Sequence, residues 1–258
     1  MKVERECKIV SKTRMGDAIY MVLEVGDMVR TSWNTPGQFV HIKCGEGRLL
    51  RRPISICSCQ EDDPEDLLAI VFEVRGEGTA WLAGRREGDT LDVLGPLGNG
   101  FRMEREGRYL LVGGGIGVPP MRGCAQYTGG KSTAILGFRS REKAILTNCF
   151  QDECAKVLYA TDDGSLGHHG FVDFLVRQEL ERDSGYDAVL ACGPRPMLRR
   201  VAEVAGSFNV PCQVSMEERM GCGIGACLVC ACAMKDGTVR HVCKDGPVFD
   251  AGEVDWDA

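Results

Sequence analysis

Five of the fourteen cysteines in this 258-residue chain fall within positions 222–243, and four of them follow the spacing Cys222-x4-Cys227-x2-Cys230-x12-Cys243. The segment that carries them, from Met216 onward, is short and rich in glycine and cysteine. It is too small to bury a core of its own, and domains of that size need a disulfide or metal staple. The first residues, Met1-Lys2-Val3-Glu4-Arg5-Glu6, contain no apolar leader core. The expected compartment is therefore the cytoplasm, where disulfides are rare, and a metal centre is the expected staple. The other nine cysteines, Cys7, Cys44, Cys57, Cys59, Cys124, Cys149, Cys154, Cys192 and Cys212, have no regular spacing. They are expected to act as small buried hydrophobes.

Three thiolates from one tight loop and a fourth from a later segment match the plant-type spacing for a [2Fe–2S] cluster. Gly221, Gly223, Gly225 and Ala226 suit that reading, because small residues let the backbone curl around an inorganic core and aim N–H groups at its sulfides. Structural zinc is the alternative, although zinc sites usually pair two C-x2-C-like knuckles and only one is present here. Cys232 lies outside the four-ligand spacing and reads as a packing neighbour, and an exchange of ligand role between Cys230 and Cys232 stays open.

The rest of the chain divides by rhythm. Segments 17–25, 38–43, 53–58, 67–74 and 90–94 are short, apolar or β-branched, and separated by turn residues. They imply a small antiparallel barrel or sandwich, closed by the turn-rich stretch Gly95–Phe101. From Arg108 onward, strand candidates at 109–112, 132–138, 156–160, 186–191 and 210–215 alternate with helix candidates at 121–127, 172–180 and 194–205. Such alternation implies a parallel sheet covered on both faces. The expected organisation is a β-barrel domain over 1–100, an α/β domain over 101–215 and a cluster domain over 216–258. With a formal charge of −6 and no dense basic block, a nucleic-acid partner is not expected. No apolar run approaches the roughly 20 residues of a membrane span.

Three glycine- or arginine-bearing segments suggest phosphate binding. Arg51-Arg52-Pro53-Ile54-Ser55-Ile56 offers a planar guanidinium fork and a hydroxyl on one strand. Arg75-Gly76-Glu77-Gly78-Thr79 reads as a turn opening a helix, with free N–H groups and the Thr79 hydroxyl. A surface ion pair for Arg52 and a plain turn at Gly76 and Gly78 are the simpler readings. Val112-Gly113-Gly114-Gly115-Ile116-Gly117-Val118-Pro119-Pro120 lies between a strand and a helix, as does Ala191-Cys192-Gly193-Pro194. Ligands of open parallel sheets bind at such strand C-termini.

The order of these elements resembles the ferredoxin–NADP reductase superfamily over residues 5–215. Adding Met216–Cys227, Val242–Phe249 and Ala160–Gly170, the whole length resembles the electron-transfer subunits of class 1B dihydroorotate dehydrogenases. The resemblance implies FAD against Arg52, Pro53, Ile54, Ser55, Val71, Phe72, Glu73, Gly78 and Thr79. It implies NAD as electron acceptor against Gly115, Gly117, Cys192, Gly193 and Pro194, with Cys192 read as a small packing residue near hydride transfer. It also implies a [2Fe–2S] cluster on Cys222, Cys227, Cys230 and Cys243. No residue here resembles an orotate site or a base for C–H abstraction, so no catalytic residue is assigned. The resemblance places dihydroorotate oxidation, a step of pyrimidine synthesis, on an FMN-containing partner in a heterotetramer of two chains of each kind. The acidic Asp162-Asp163 after a strand implies NAD over NADP, because a carboxylate repels a 2′-phosphate and accepts from a free 2′-hydroxyl. Arg139 and Arg141, after another strand, point the other way. Two alternatives remain: the flavoprotein subunit of a ferredoxin-linked NAD(P) oxidoreductase, some of which carry aspartate for one cluster cysteine, and a zinc-stapled binding module without redox chemistry.

Overall fold

The computed structural model describes residues 3–60 and 66–258. Strand-forming segments close on themselves in the first hundred residues. They are β1 (Val3–Met15), β2 (Ala18–Glu24), β3 (Phe39–Ile42), β4 (Arg52–Gln60), β5 (Leu67–Glu73) and β6 (Thr90–Leu97), with short helices α1 (Met28–Ser32) and α2 (Glu77–Ala83) between them. In the order β1-β2-β5-β4-β3-β6 they form a closed barrel, antiparallel at every pair. Alternation of side chains sends Ile9, Met21, Leu23, Ile70, Phe72 and Val93 to the interior. Each such side chain, fully buried, contributes about 1.5–3 kcal/mol. The outward set, Ala18, Cys57, Ala69 and Val71, packs under the second domain.

The barrel has one strand more than the five anticipated, namely β1. Its Glu4, Glu6 and Lys8 face solvent while Cys7 and Ile9 are buried, so charge masks the alternation. Strand β6 also runs through Gly95 and Pro96 to Leu97, into the stretch read as a boundary turn.

The second region alternates β7 (Tyr109–Gly114), α3 (Val118–Tyr127), β8 (Thr133–Phe138), α4 (Thr147–Glu153), β9 (Lys156–Thr161), β10 (His168–His169), α5 (Val172–Arg182), β11 (Ala188–Cys192), α6 (Arg195–Ser207) and β12 (Cys212–Ser215). Leu110, Val112, Ile135, Val189 and Ala191 face α5 and α6. Leu111, Ala134, Leu136 and Leu190 face α3 and α4. The sheet grows from β7 through β8 and β9 to β10, then continues from the other side of β7 with β11 and β12. The direction of winding therefore reverses between β7 and β11, where such sheets open a crevice for ligands.

After Ser215 the chain leaves the sheet, forms the hairpin β13 (Ala231–Ala233) and β14 (Val239–His241), and returns as β15 (Val248–Asp250). Strand β15 pairs antiparallel with β12, Ser215 opposite Val248, and ties the segment expected as a third domain into the sheet. It covers an edge that would otherwise present unpaired backbone groups. Two of the seams that hold the barrel in place run through Arg122 and Asn99. Arg122 on α3 pairs with Glu153 on α4 at 2.9 Å and donates to the Tyr20 hydroxyl of β2 at 3.3 Å. Asn99 donates through Nδ2 to the carbonyls of Lys244 and Asp245 at 3.0 and 3.1 Å. Among the described residues no helix is long and apolar enough to cross a membrane.

Candidate functional site

The loop after Met220 folds as a cradle of backbone donors around thiols. Cys222 Sγ accepts from the N–H groups of Ile224, Ala226 and Cys227 at 3.4, 3.2 and 3.4 Å. Cys222 N–H donates to Cys227 Sγ at 3.3 Å, Gly225 N–H to Cys243 Sγ at 3.1 Å, and Cys243 N–H to Cys230 Sγ at 3.4 Å. The sulfurs therefore stand as two neighbouring pairs, Cys222 with Cys227 and Cys230 with Cys243. Among the described residues no three His, Cys, Asp or Glu side chains form a group that could hold one metal ion. Two pairs of thiolates, with N–H groups turned toward them, fit a core of two irons.

Small residues make the cradle possible. Gly223 and Gly225 have φ of +72° and +82°, and a Cβ on either would lie 2.5 Å from His41 Nδ1 or 2.8 Å from Lys244 Cδ. Burial would push the Cys222 thiol up, but the N–H groups of Ile224, Cys227 and Ala226 outweigh it and bring it down to about 6. Cys243 is pushed up to about 12, by burial and by the Cys230 thiol beside it. Cys232 is buried on β13 and accepts no loop N–H; its thiol faces the Ala233 carbonyl at 3.9 Å. All fourteen cysteines are free thiols; of the nine expected to be buried, Cys7, Cys44, Cys57, Cys124, Cys192 and Cys212 are, whereas Cys59, Cys149 and Cys154 are only half-buried at the margins of the cores.

The barrel residues singled out by sequence converge on one opening. Strand β4 pairs with β3 over Arg52–Ser55 and with β5 only from Ile56 onward. The two strands thus part on the N-terminal side of Ile56, and the β4-facing edge of Val71, Phe72 and Glu73 is left without a strand partner among the described residues. The Val71 and Phe72 side chains are committed to opposite cores, so only their main chain can meet a ligand. Glu73 is held by Arg75 at 3.0 Å. Arg52 forms no ion pair among the described residues, and its guanidinium lies over Gly78, where a Cβ would fall 2.4 Å from Nε. Neighbouring Arg51 instead ties the barrel together through Glu4 and Asp92. Thr79 Oγ1 accepts from the N–H groups of Arg75 and Gly76 at 2.9 and 3.2 Å and so shapes the start of α2.

The glycine loop and the Cys192 turn meet at the switch point. A Cβ on Gly117 would lie 2.3 Å from the Cys192 carbonyl oxygen, so only glycine lets the two loops touch. Gly115 has φ +54° and open space above it, and the single 3-10 turn Gly115–Gly117 lies against β5. The segments expected to meet flavin and nicotinamide therefore lie side by side. Burial pushes the Cys192 thiol up to about 12, which keeps it uncharged beside Gly193 and Pro194. At the end of β9, Asp163 is occupied by Ser165, at 3.0 Å from its N–H and 2.6 Å from its hydroxyl. Asp162 is exposed. Arg141 is turned onto the Ser165 carbonyl at 2.9 Å.

Sequence reasoning passed over His41. It is fully buried on β3, and neither ring nitrogen has a hydrogen-bond partner among the described residues. Burial, and then the Arg51 guanidinium, push its imidazole down to about 4. A lone histidine on an apolar strand carries no signal of its own; only the pairing of His41 with distant Gly223 exposes it.

Comparison with known proteins agrees with this geometry. The family model described as the iron–sulfur cluster binding domain of dihydroorotate dehydrogenase B matches residues 217–255. The electron transfer subunit of dihydroorotate dehydrogenase B (NAD(+)) from Geobacillus kaustophilus is 42% identical over 260 residues, covering 95% of this chain and 96% of that protein. The subunit of the same name from Fusobacterium nucleatum is 39% identical, covering 99% of both. Among solved structures, that of an NADH-dependent reduced ferredoxin-NADP oxidoreductase superposes with a TM-score of 0.86 at 32% identity, covering 98% of this chain and 91% of the other. The ferredoxin reductase of carbazole 1,9a-dioxygenase, at 22% identity and TM-score 0.68, covers 81% of this chain and 67% of the other and shares the fold.

Proposed function

This chain belongs to the electron transfer subunits of dihydroorotate dehydrogenase B, and on that premise we propose that it takes electrons from an FMN-containing, dihydroorotate-oxidising partner and delivers them to NAD+. Cys222, Cys227, Cys230 and Cys243 hold a [2Fe–2S] cluster in this reading. FAD lies along Arg52–Ser55, Val71–Glu73, Gly78 and Thr79, and NAD lies against Gly115, Gly117 and Cys192–Pro194. When bound, the cluster supplies one-electron transfer and the flavin exchanges single electrons for hydride.

The residues do the rest. The N–H groups on the four thiols favour added negative charge there and so set how readily the centre is reduced. Arg52, whose Nη1 donates to the carbonyls of Leu50 and Arg51, offers the rest of its guanidinium to a phosphate, and the parted edge of β5 offers main-chain groups to a ring system. Gly117, by touching the Cys192 turn, keeps the crevice narrow. The partner is met at the cluster loop, where Ile224, Leu228 and Val229 are 41%, 58% and 56% exposed around the most exposed ligand, Cys227. The assembly is a heterotetramer of two chains of each kind, in the cytoplasm.

The observation that carries this reading is the pairing of four thiols under six N–H donors. It is tested by the metal, acid-labile sulfide and flavin content of purified protein. Iron and sulfide in equal amounts with one FAD per chain support it, whereas zinc without sulfide overturns it. Copurification from native cells should bring an FMN-containing chain that oxidises dihydroorotate. A second reading rests on the 0.86 superposition: a subunit of a ferredoxin-linked NAD(P) oxidoreductase. Recovery of a ferredoxin-reactive partner without dihydroorotate activity would favour it. Asp162 further implies NAD, and catalytic efficiency with NADPH above that with NADH would refute this.

A further inference from the structure

The barrel and the cluster loop meet at one side chain. His41 sits on β3 between Pro53 of β4 and Leu94 of β6, and its neighbours Val40 and Ile42 point into the barrel. His41 therefore points outward, as does Phe39, whose ring lies edge-on at 6.5 Å and packs in the core that holds Cys230 and Cys243. The imidazole is fully buried and lies beside backbone groups of both Cys222 and Arg51, short of hydrogen-bond geometry with either. On the loop side Nδ1 abuts Gly223, the residue between Cys222 and the N–H of Ile224 that donates to Cys222 Sγ. On the barrel side it lies next to Arg51, one residue before the strand assigned to FAD.

Burying a polar ring without a partner carries a desolvation cost, which a purely packing position would avoid by carrying leucine. An apolar residue of similar volume would fill the same space.

We propose that His41 is a positioning residue for electron transfer, which fixes the Cys222–Gly223 main chain against the flavin-side strand and thereby aims the loop N–H groups at Cys222 Sγ. The proposal rests on the [2Fe–2S] reading of the four cysteines. Without the ring nitrogens the polar main chain of Cys222 and Gly223 would face an apolar side chain, which lets the loop turn its N–H groups away, and a cluster with fewer such donors is harder to reduce.

The test is a redox titration of the purified holoprotein followed by electron paramagnetic resonance, on wild type, His41→Leu, His41→Asn and His41→Gln. Asparagine restores a nitrogen near the Nδ1 position and glutamine one nearer Nε2. The expected result is a more negative cluster potential and altered g-values in His41→Leu, return toward wild type in His41→Asn, and no return in His41→Gln, with FAD content equal in all four. If His41→Leu does not take up iron, the asparagine–glutamine contrast decides. Wild-type values in His41→Leu, or equal behaviour of His41→Asn and His41→Gln, would overturn the proposal. No iron–sulfur signal in wild type would instead overturn the cluster reading beneath it.

Discussion

The barrel and the cluster segment reach order by opposite means. The barrel closes six strands around an interior of aliphatic and aromatic side chains, and hydrophobic burial is its main driving force. Residues 216–247 have one hairpin of three-residue strands, and their buried groups, Cys230, Cys232, Met234 and Val242, belong to a core shared with the sheet. Their loop is shaped by N–H contacts to thiols, which persist only while the thiols stay where the contacts need them. One region carries its own stability and lends a surface; the other borrows a core and supplies chemistry.

Four substitutions probe that contrast, the largest effect first. Cys230→Ser removes a thiol from the buried pair and should abolish iron binding while leaving FAD content at wild-type level, measured by iron analysis and flavin absorbance. Loss of flavin together with iron would mean that the barrel depends on the cluster segment. Phe72→Ala empties the middle of the barrel, where the side chain is 2% exposed. It should cost about 3–5 kcal/mol in denaturant unfolding, with flavin released before iron. Arg122→Met cuts the seam between barrel and sheet and leaves the Glu153 carboxylate with only the neutral Gln126 amide, both Arg122 and Glu153 being mostly buried. The expected cost is about 2–3 kcal/mol, less than for a fully buried pair, with a weaker hold of NADH and an unchanged cluster spectrum.

The smallest effect is confined to the sheet. Glu179, 6% exposed, accepts from the Tyr186 hydroxyl at 3.0 Å and pairs with Lys156. Burial raises its pKa, but the Lys156 and Tyr186 contacts outweigh that and hold it below the ordinary value. A carboxylate depressed in the folded state contributes stability above its unfolded pKa and loses it as pH falls through the folded one. Glu179→Gln should therefore cost about 1 kcal/mol near neutrality and nothing in strong acid. Unfolding midpoints measured across the carboxylate range would check it, and a pH-independent difference would refute the assignment.

The gathering of four thiols at one loop was legible in the sequence because spacing alone carries that signal; three thiols in nine residues cannot be spread over a core. The glycine loops were legible for a related reason, since strand, glycines and helix follow one another in the chain. The barrel was read one strand short because β1 alternates charges with few apolar residues. Strand β15 was missed because Val248–Asp250 is three residues long and gains meaning only from the β12 edge. Val71 and Phe72, expected as flavin contacts, are adjacent on one strand, so their side chains face two different cores and only their main chain is free where β4 and β5 part. His41 lay beyond reach because its counterpart Gly223 is far away along the chain.

Ser215 and Val248 face each other across a strand pair, so the chain departs from the sheet and comes back to it at a single point. Everything between is a closed excursion whose two ends are already pinned when β12 and β15 have paired. The closure entropy of such a loop grows only slowly with its length. The segment that carries the four thiols is thus held at both ends by the sheet, whatever the thiols themselves bind.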